Sequence, residues 1–379
     1  MEKPNLMPTT KLSIRRPLLA AATALITFGT TALLTTACTT DDSRPLRLGI
    51  AYGHRLVGMS GKDLGAALDE AVDVGARWVR ADLSWGDIQP AGPDEFRWSH
   101  FDRVVTAAKK RDLAVLPILS YTPPWARQTG CTGDKCRPAD PKAFAAFAAA
   151  AAARYAPSGI HTWEIWNEPN LRDFWKPRPD AAAYTTLLRA TSEALRRQDP
   201  SAYVVLGGLA STPSEGGSIS QTDFLAAVSV RGGNRLVDAV GYHPYTYPYL
   251  ASDKTPWRTA WERIDSLVSV LSAHGTPGMP VWITEYGAPT NGPGAASDGQ
   301  RKSIDTTTHV TERRQSEIAE AAVRTAAVTP HVEALFWYSE RDAGTDTSSR
   351  ENFFGLRRAD GSAKPALSAL RKAIAALDG

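Results

Sequence analysis

Residues 162–170 read Thr162-Trp163-Glu164-Ile165-Trp166-Asn167-Glu168-Pro169-Asn170. An apolar, aromatic run ends abruptly in a carboxylate, and a turn residue follows. Residues 281–287, Val281-Trp282-Ile283-Thr284-Glu285-Tyr286-Gly287, repeat the pattern around Glu285. A buried strand that delivers Glu at its C-terminal tip is a poor way to build a core. It is a good way to aim a carboxylate into a cleft. Two such strands in one chain point to paired carboxylates, the equipment for glycoside hydrolysis.

Outward from these stretches, one unit recurs: a short apolar run, a loop, then an amphipathic helical segment. The runs are Leu46–Ala51, Trp78–Leu83, Leu113–Leu119, His161–Asn167, Tyr203–Gly207, Val237–Tyr242, Val281–Glu285 and His331–Tyr338. Helical segments are predicted at 61–75, 99–111, from Asp140-Pro141 onward, and at 180–198, 221–230, 256–273, 311–328 and 364–377. In the last of these, Leu367, Leu370, Ile374 and Leu377 recur at helical steps. Asp140 before Pro141 is a cap followed by proline at the first helical position. Strands that alternate with helices require a parallel sheet. Eight repeats over about 330 residues predict a single (β/α)8 barrel with enlarged loops at its C-terminal face. A doubly wound open sheet would want a glycine-rich phosphate turn after an early strand, and none is present. The long loops 288–310 and 340–363 follow the seventh and eighth runs. Their Gly, Ser, Thr and Asp content marks them as loosely held.

The chain has 379 residues, 43% of them hydrophobic and 22% charged, as in ordinary globular proteins. Its eleven Trp fit a cleft that stacks on sugar rings, or an aromatic core. The net charge of +3 sits wholly in residues 1–37, where Lys3, Lys11, Arg15 and Arg16 face only Glu2. The remainder is balanced, so no basic surface for nucleic acid is expected.

Residues 1–37 have the layout of a secretory signal: a basic segment from Lys11 to Arg16, then an uncharged stretch to Ala37. Small residues precede a lone Cys38, and the polar stretch 38–45 reads as a tether. Ala37-Cys38 resembles a bacterial lipobox, with Thr35 standing where Leu is usual. The expectation is an exported protein anchored to the cell membrane by lipid on Cys38, facing outside. Ordinary cleavage after Ala37, giving a secreted protein, and an uncleaved anchor are the alternatives. Arg15-Arg16 also raises a twin-arginine route. Cys131 and Cys136 lie in one Gly-rich loop, and in an exported protein such a pair reads first as a disulfide. A metal site would need more ligands than this loop offers.

Glu168 is assigned as acid/base and Glu285 as nucleophile, facing each other across the barrel mouth. Trp166-Asn167-Glu168-Pro169 resembles the Asn-Glu-Pro signature of clan A, the large clan of retaining (β/α)8 glycosidases, in which a second Glu ends strand seven. The run from Trp78 to Trp98 and the segments Asn352-Phe353-Phe354-Gly355-Leu356 and Lys364-Pro365-Ala366 are most similar to bacterial β-xylosidase and cellulase-like relatives. The resemblance covers nearly all of the chain after the signal, and places the catalytic domain at 46–379. It implies that Arg80 holds the nucleophile ionised, the rival being a structural ion pair with Asp82 or another core acid. It implies that Asn167 binds the sugar 2-hydroxyl. By position, His243 and Tyr245 are expected to serve the nucleophile or a sugar hydroxyl, with a satisfied barrel-end histidine as the rival for His243. Tyr121 and Trp125 are expected to line the cleft and Trp337 to floor the reactive subsite, with interior packing as the rival for these aromatics. No cofactor and no metal are expected, the partner is a carbohydrate substrate, and the protein is expected to be a monomer. A transglycosylase on the same intermediate and a non-catalytic polysaccharide-binding barrel are the other readings.

Overall fold

The computed structural model describes residues 45–300 and 307–377. The signal segment, Cys38 and most of the tether lie outside the described residues. Eight parallel strands close into a barrel: β1 Arg47–Gly53, β2 Trp78–Ser84, β3 Ala114–Ser120, β4 Thr162–Ile165, β5 Tyr203–Ala210, β6 Ala239–His243, β7 Val281–Tyr286 and β8 Val332–Tyr338. Each strand pairs with its sequence neighbours, and β8 closes on β1 through Arg47↔Ala334 to Ala51↔Tyr338. This is the predicted (β/α)8 barrel.

Alternation of side chains sorts each strand into two layers. In β2, Val79, Ala81 and Leu83 point outward into the layer beneath the helices, while Trp78 packs inward. Ala51, Leu116, Val205, Ala239, Trp282, Ala334 and Phe336 fill the barrel interior. Gly49 lies on β1 because a Cβ there would overlap the Phe336 ring. Helix ends follow local chemistry. Ser60, Asp140, Asp180, Ser220 and Thr311 each accept a hydrogen bond from a first-turn amide, at the starts of Gly61–Asp73, Pro141–Tyr155, Ala181–Gln198, Gln221–Val230 and Glu312–Val328.

Three segments differ from the sequence expectation. The helix expected from 256 starts late, with a 3-10 turn at Trp261–Arg263 and α-helix only over Ile264–Ala273. The carboxylate of Glu262 accepts from the amides of Thr255 and Thr259, which fixes the preceding residues as a loop. The loop after β7 contains a two-stranded parallel sheet of Ala295–Ser297 and Thr307–Val310. The loop after β8 is anchored by a buried ion pair, Lys364 Nζ to Asp342 Oδ1 at 2.7 Å. Asp342 Oδ1 also accepts from the Gly355 amide, and Lys364 donates to Thr290 Oγ1. Polar composition here marks a hydrogen-bonded strap rather than a loose loop. Among the described residues no helix is long and apolar enough to cross a membrane.

Candidate active site

The inward residues at the C-terminal ends of β2, β4, β6 and β7 meet in one charged network. Arg80 on β2 is fully buried and spends its guanidinium on three partners. Nε and Nη2 grip Glu164 of β4 at 2.6 and 3.1 Å, Nη2 donates to Asn167 Oδ1 at 2.8 Å, and Nη1 donates to Glu285 Oε1 at 2.6 Å. Glu164 has a further donor in the Gly208 amide and another in the Thr284 hydroxyl. A buried carboxylate with this many donors is satisfied, and it holds Arg80 in place. Arg80 pairs with a core acid, which is Glu164 rather than Asp82, and it also reaches Glu285.

The turn that carries Glu168 is bent. Trp166 and Glu168 take left-handed backbone angles, φ 70° and 48°, at roughly 1–3 kcal/mol each for non-glycine residues. The surroundings hold them there. The Trp166 amide donates to Leu119 O at 2.8 Å, and the Glu168 amide donates to Gly208 O at 3.0 Å. Asn170 closes the turn, donating to Ala210 O and Ile219 O and accepting from the Ala210 amide.

His243, at the tip of β6, lies between the acids. Its Nδ1 is 2.9 Å from Glu168 Oε1 and 3.6 Å from Glu285 Oε2, and its Nε2 is 3.0 Å from Thr284 Oγ1. The Thr284 hydroxyl donates to Glu164, so its oxygen is free to accept from His243 Nε2–H. Gly208 permits this placement, since a Cβ there would run into the imidazole.

The two carboxyls are pushed apart in acidity. Burial raises Glu285, but His243, Arg80 and the Tyr245 hydroxyl, which donates to Oε2 at 2.9 Å, outweigh it and hold the group below the ordinary carboxylate range. Burial also raises Glu168. Contact with His243 pulls it back, the charge of Glu285 adds to the rise, and the net direction is upward. Glu168 thus holds its proton to higher pH than Glu285 does. Ligand atoms of Glu168, His243 and Glu285 lie within 4.8 Å of one another, a spacing that could also grip a metal ion. The Arg80 cation at 2.6 Å from Glu285 opposes a second cation there.

Tyr121, also left-handed at φ 62°, is near both glutamates and has its hydroxyl pushed up by burial, Asp82 and Glu285. Lys135 Nζ lies 4.6 Å over its ring. Cys131 and Cys136 are bridged, with Cα atoms 6.0 Å apart, and their short loop carries Lys135. Trp125 is 36% exposed at the rim, donating from Nε1 to Gln89 O and packed edge-on against Trp85. Trp337 is a correction. It points outward, 2% exposed, beside Tyr286 under the helices. The next residue, Tyr338, faces the mouth and packs against Phe354. Glu164, Thr284 and Tyr338 were not singled out from sequence. The available signal for Glu164 was a charge in the middle of an apolar strand.

A parallel eight-stranded barrel with a close carboxylate pair at its C-terminal mouth is the arrangement found in (β/α)8 glycosidases. The family model described as Cellulase (glycosyl hydrolase family 5) matches residues 51–319. The chain belongs to that family, and it spans less than two thirds of the length of the first relatives it matches. Over 146 residues it is 32% identical to a β-xylosidase of Geobacillus stearothermophilus, a match covering 35% of this chain and 27% of that protein. A family 39 glycoside hydrolase from Bacteroides cellulosilyticus WH2 shares the fold with TM-score 0.66 and 22% identity over 89% of this chain and 65% of that one. A family 5 subfamily 18 protein from Streptomyces cattleya, solved with GlcNAc, gives TM-score 0.65 and 19% identity over 88% and 81%.

Proposed function

We propose that the protein is an exported, lipid-anchored retaining glycoside hydrolase that cleaves O-glycosidic bonds of an oligosaccharide or polysaccharide by double displacement. The observation that carries this reading is the spacing of Glu168 and Glu285, whose ligand atoms come within 4.8 Å with Arg80 on Glu285 alone. Inverting enzymes keep their carboxyls about 6.5–9.5 Å apart to admit water, and retaining ones about 5–5.5 Å.

In the first step Glu168 gives its proton to the glycosidic oxygen as the bond to the anomeric carbon breaks. Glu285 Oε2 or Oε1 forms the new bond to that carbon, giving a glycosyl-enzyme ester. In the second step Glu168 takes a proton from water, the water oxygen bonds to the anomeric carbon, and the Glu285 ester bond breaks. The Asn167 carbonyl is occupied by Arg80, which leaves its amide nitrogen to donate to the sugar 2-hydroxyl. Tyr121, Tyr245 and His243 bound the reacting sugar. Trp125 supplies a stacking face at the rim.

The β-xylosidase relative makes β-xylosides the first substrates to try. The test is release of reducing sugar from a panel of aryl glycosides and polysaccharides by wild type, with Glu285→Ala as the inert control. A panel on which wild type and Glu285→Ala behave alike overturns the reading. For export, the Cys131–Cys136 bridge fits an oxidising compartment. Mass spectrometry of membrane-extracted protein should find Cys38 lipid-modified at the mature N-terminus. An unmodified soluble N-terminus would remove the anchor from the proposal.

A further inference from the structure

The barrel has two ends, and the chemistry above uses one of them. Each helix runs back antiparallel to the strand before it. Helix C-termini and the connections that follow them therefore lie at the opposite, N-terminal face. The chain also enters there, since Pro45 and Leu46 lead directly into β1 at Arg47. Cys38, the residue expected to carry lipid, precedes Pro45 by seven positions, which is at most about 25 Å of extended chain.

This face is basic and partly apolar. Arg77, Lys109, Lys110, Arg231, Arg235 and Lys372 are exposed on it. Among the described residues none of the six is paired with a carboxylate, and only two exposed acids there, Asp73 and Asp112, are likewise unpaired. Arg47 and Arg196 are neutralised by Glu333 and Asp238, so the excess is positive. Three bared aliphatic side chains share the face: Val230 at 69%, Val328 at 78% and Leu377 at 38% exposed. They end or directly follow the helices Gln221–Val230, Glu312–Val328 and Pro365–Ala375. The other exposed large hydrophobics, Phe96, Trp125 and Trp257, are all aromatic, and all lie in strand-to-helix connections towards the mouth. A cation at a helix C-terminus is ordinary, because the helix dipole favours it. An aliphatic side chain left in water at three such ends is not. Cations interspersed with exposed aliphatics are the composition of a surface that meets a lipid headgroup layer.

We propose that the N-terminal face of the barrel rests on an anionic phospholipid surface, with the cations over the phosphates and Val230, Val328 and Leu377 at headgroup level. The mouth then points away from the bilayer. Substrate arrives from the outer side, and a glycolipid of the same bilayer does not reach Glu285. The proposal rests on the anchored reading for what brings the face to the membrane. The charge excess and the bared side chains stand without it.

The test places the full chain in nanodiscs of phosphatidylcholine, with or without phosphatidylglycerol, and reads amide hydrogen exchange. Phosphatidylglycerol should slow exchange about 10-fold in 107–112, 228–236 and 372–377, and high salt should abolish the difference. The mouth loops 124–140 and 340–363 should exchange alike in both discs. Two variants are compared, Lys109→Glu/Lys110→Glu/Arg231→Glu/Arg235→Glu and Val230→Ser/Val328→Ser, with thermal unfolding to confirm that each is folded. Each should lose most of the protection. Equal exchange with and without phosphatidylglycerol in wild type, protection at the mouth loops instead, or protection that survives both variants would overturn the docking face. Intact mass of the same sample reports lipid on Cys38 and so tests the anchored reading separately. If Cys38 carries none, the full chain is mixed with vesicles of the same two compositions. Binding about 100-fold tighter to the phosphatidylglycerol vesicles, lost on charge reversal, upholds the face without the anchor. Equal binding to both overturns it.

Discussion

Arg80 Nη1 stands 2.6 Å from Glu285 Oε1, while the rest of the same guanidinium is fixed by Glu164 and Asn167. The cation is therefore not free to follow a proton or a substrate, and it favours the ionised form of Glu285 permanently. Glu168 has no arginine beside it, and its carboxyl is pushed upward by burial. On the proposed double-displacement reading, this one buried contact sets which of two chemically identical side chains is acid and which is nucleophile.

Removing that contact should be severe. Arg80→Met leaves Glu164 and Glu285 as buried charges without a cation, and breaking a buried pair this way costs about 3–5 kcal/mol. Denaturant unfolding at neutral pH should show a loss of that order. Arg80→Lys keeps a charge but not the fork. It should fold better than Arg80→Met and still lose about 100-fold or more in kcat, roughly 3 kcal/mol of barrier. Kinetics on an aryl glycoside, beside the unfolding curves, separate the two effects.

Tyr245 offers a cleaner pH experiment. Its hydroxyl donates to Glu285 Oε2 at 2.9 Å and helps hold that carboxyl low. The nucleophile must be ionised, so activity is present above its pKa and lost as pH falls through it. Tyr245→Phe removes a donor to the charged form and should move the acidic limb of kcat/KM up by about one pH unit. The alkaline limb, which reports loss of the Glu168 proton, should stay where it was.

Asp82 predicts a stability effect of opposite sign to that of most buried polar changes. Burial pushes its carboxyl up to about 6, only partly offset by Arg80 and His54. A folded pKa above the ordinary carboxylate value of about 3.9 means that ionisation opposes folding. The penalty is fully present above about pH 6 and gone below about pH 4. Asp82→Asn should thus be more stable than wild type at pH 7, by up to about 3 kcal/mol, with the gain vanishing towards pH 4. Urea unfolding at both pH values measures it.

The Cys131–Cys136 bridge closes a short loop, so its entropic contribution is modest, about 2 kcal/mol. Its larger effect is expected on geometry, because the loop positions Lys135 over Tyr121 and Phe174. The double Cys→Ser variant should lose up to that much stability and raise KM several-fold with little change in kcat. Steady-state kinetics with and without reductant on wild type should show the same split.

Much of this architecture is legible in spacing. Every barrel strand falls on an apolar run, and the carboxylates at 168 and 285 stand out because charge is rare at such strand ends. What was not legible depends on partners far apart in the chain. Glu164 pairs with Arg80 across 84 residues, and a lone charge within a strand does not announce its partner. Arg80 and Asp82 share a face of one strand, but a long guanidinium reaches across the barrel rather than back along its own strand. The slip from Tyr338 to Trp337 has a different cause. Leu335-Phe336-Trp337-Tyr338 is apolar or aromatic throughout, as in strands buried on both faces, so no polar residue marks which side looks into the mouth. The late start of helix 264–273 reflects a carboxylate, Glu262, that captures amides of the loop before it.

The two glutamates make separable predictions. Glu285→Ala should abolish turnover, because no carboxylate remains to form the glycosyl-enzyme. The variant keeps the acid Glu168 and opens space beside Arg80, so added azide or formate can attack the anomeric carbon from the vacated side. That single displacement should yield a product of inverted configuration, identified by NMR, whereas wild type should retain configuration. Glu168→Ala should behave differently. Activated aryl glycosides scarcely need a proton on the leaving oxygen, so their first step should be nearly normal, with the ester accumulating for want of a base. Substrates with alkoxide leaving groups should slow by about 10²- to 10⁴-fold, the usual worth of a positioned general acid. Rescue of Glu285→Ala with retained stereochemistry, or equal slowing of both substrate classes by Glu168→Ala, would show that the roles are not divided as the Arg80–Glu285 contact implies.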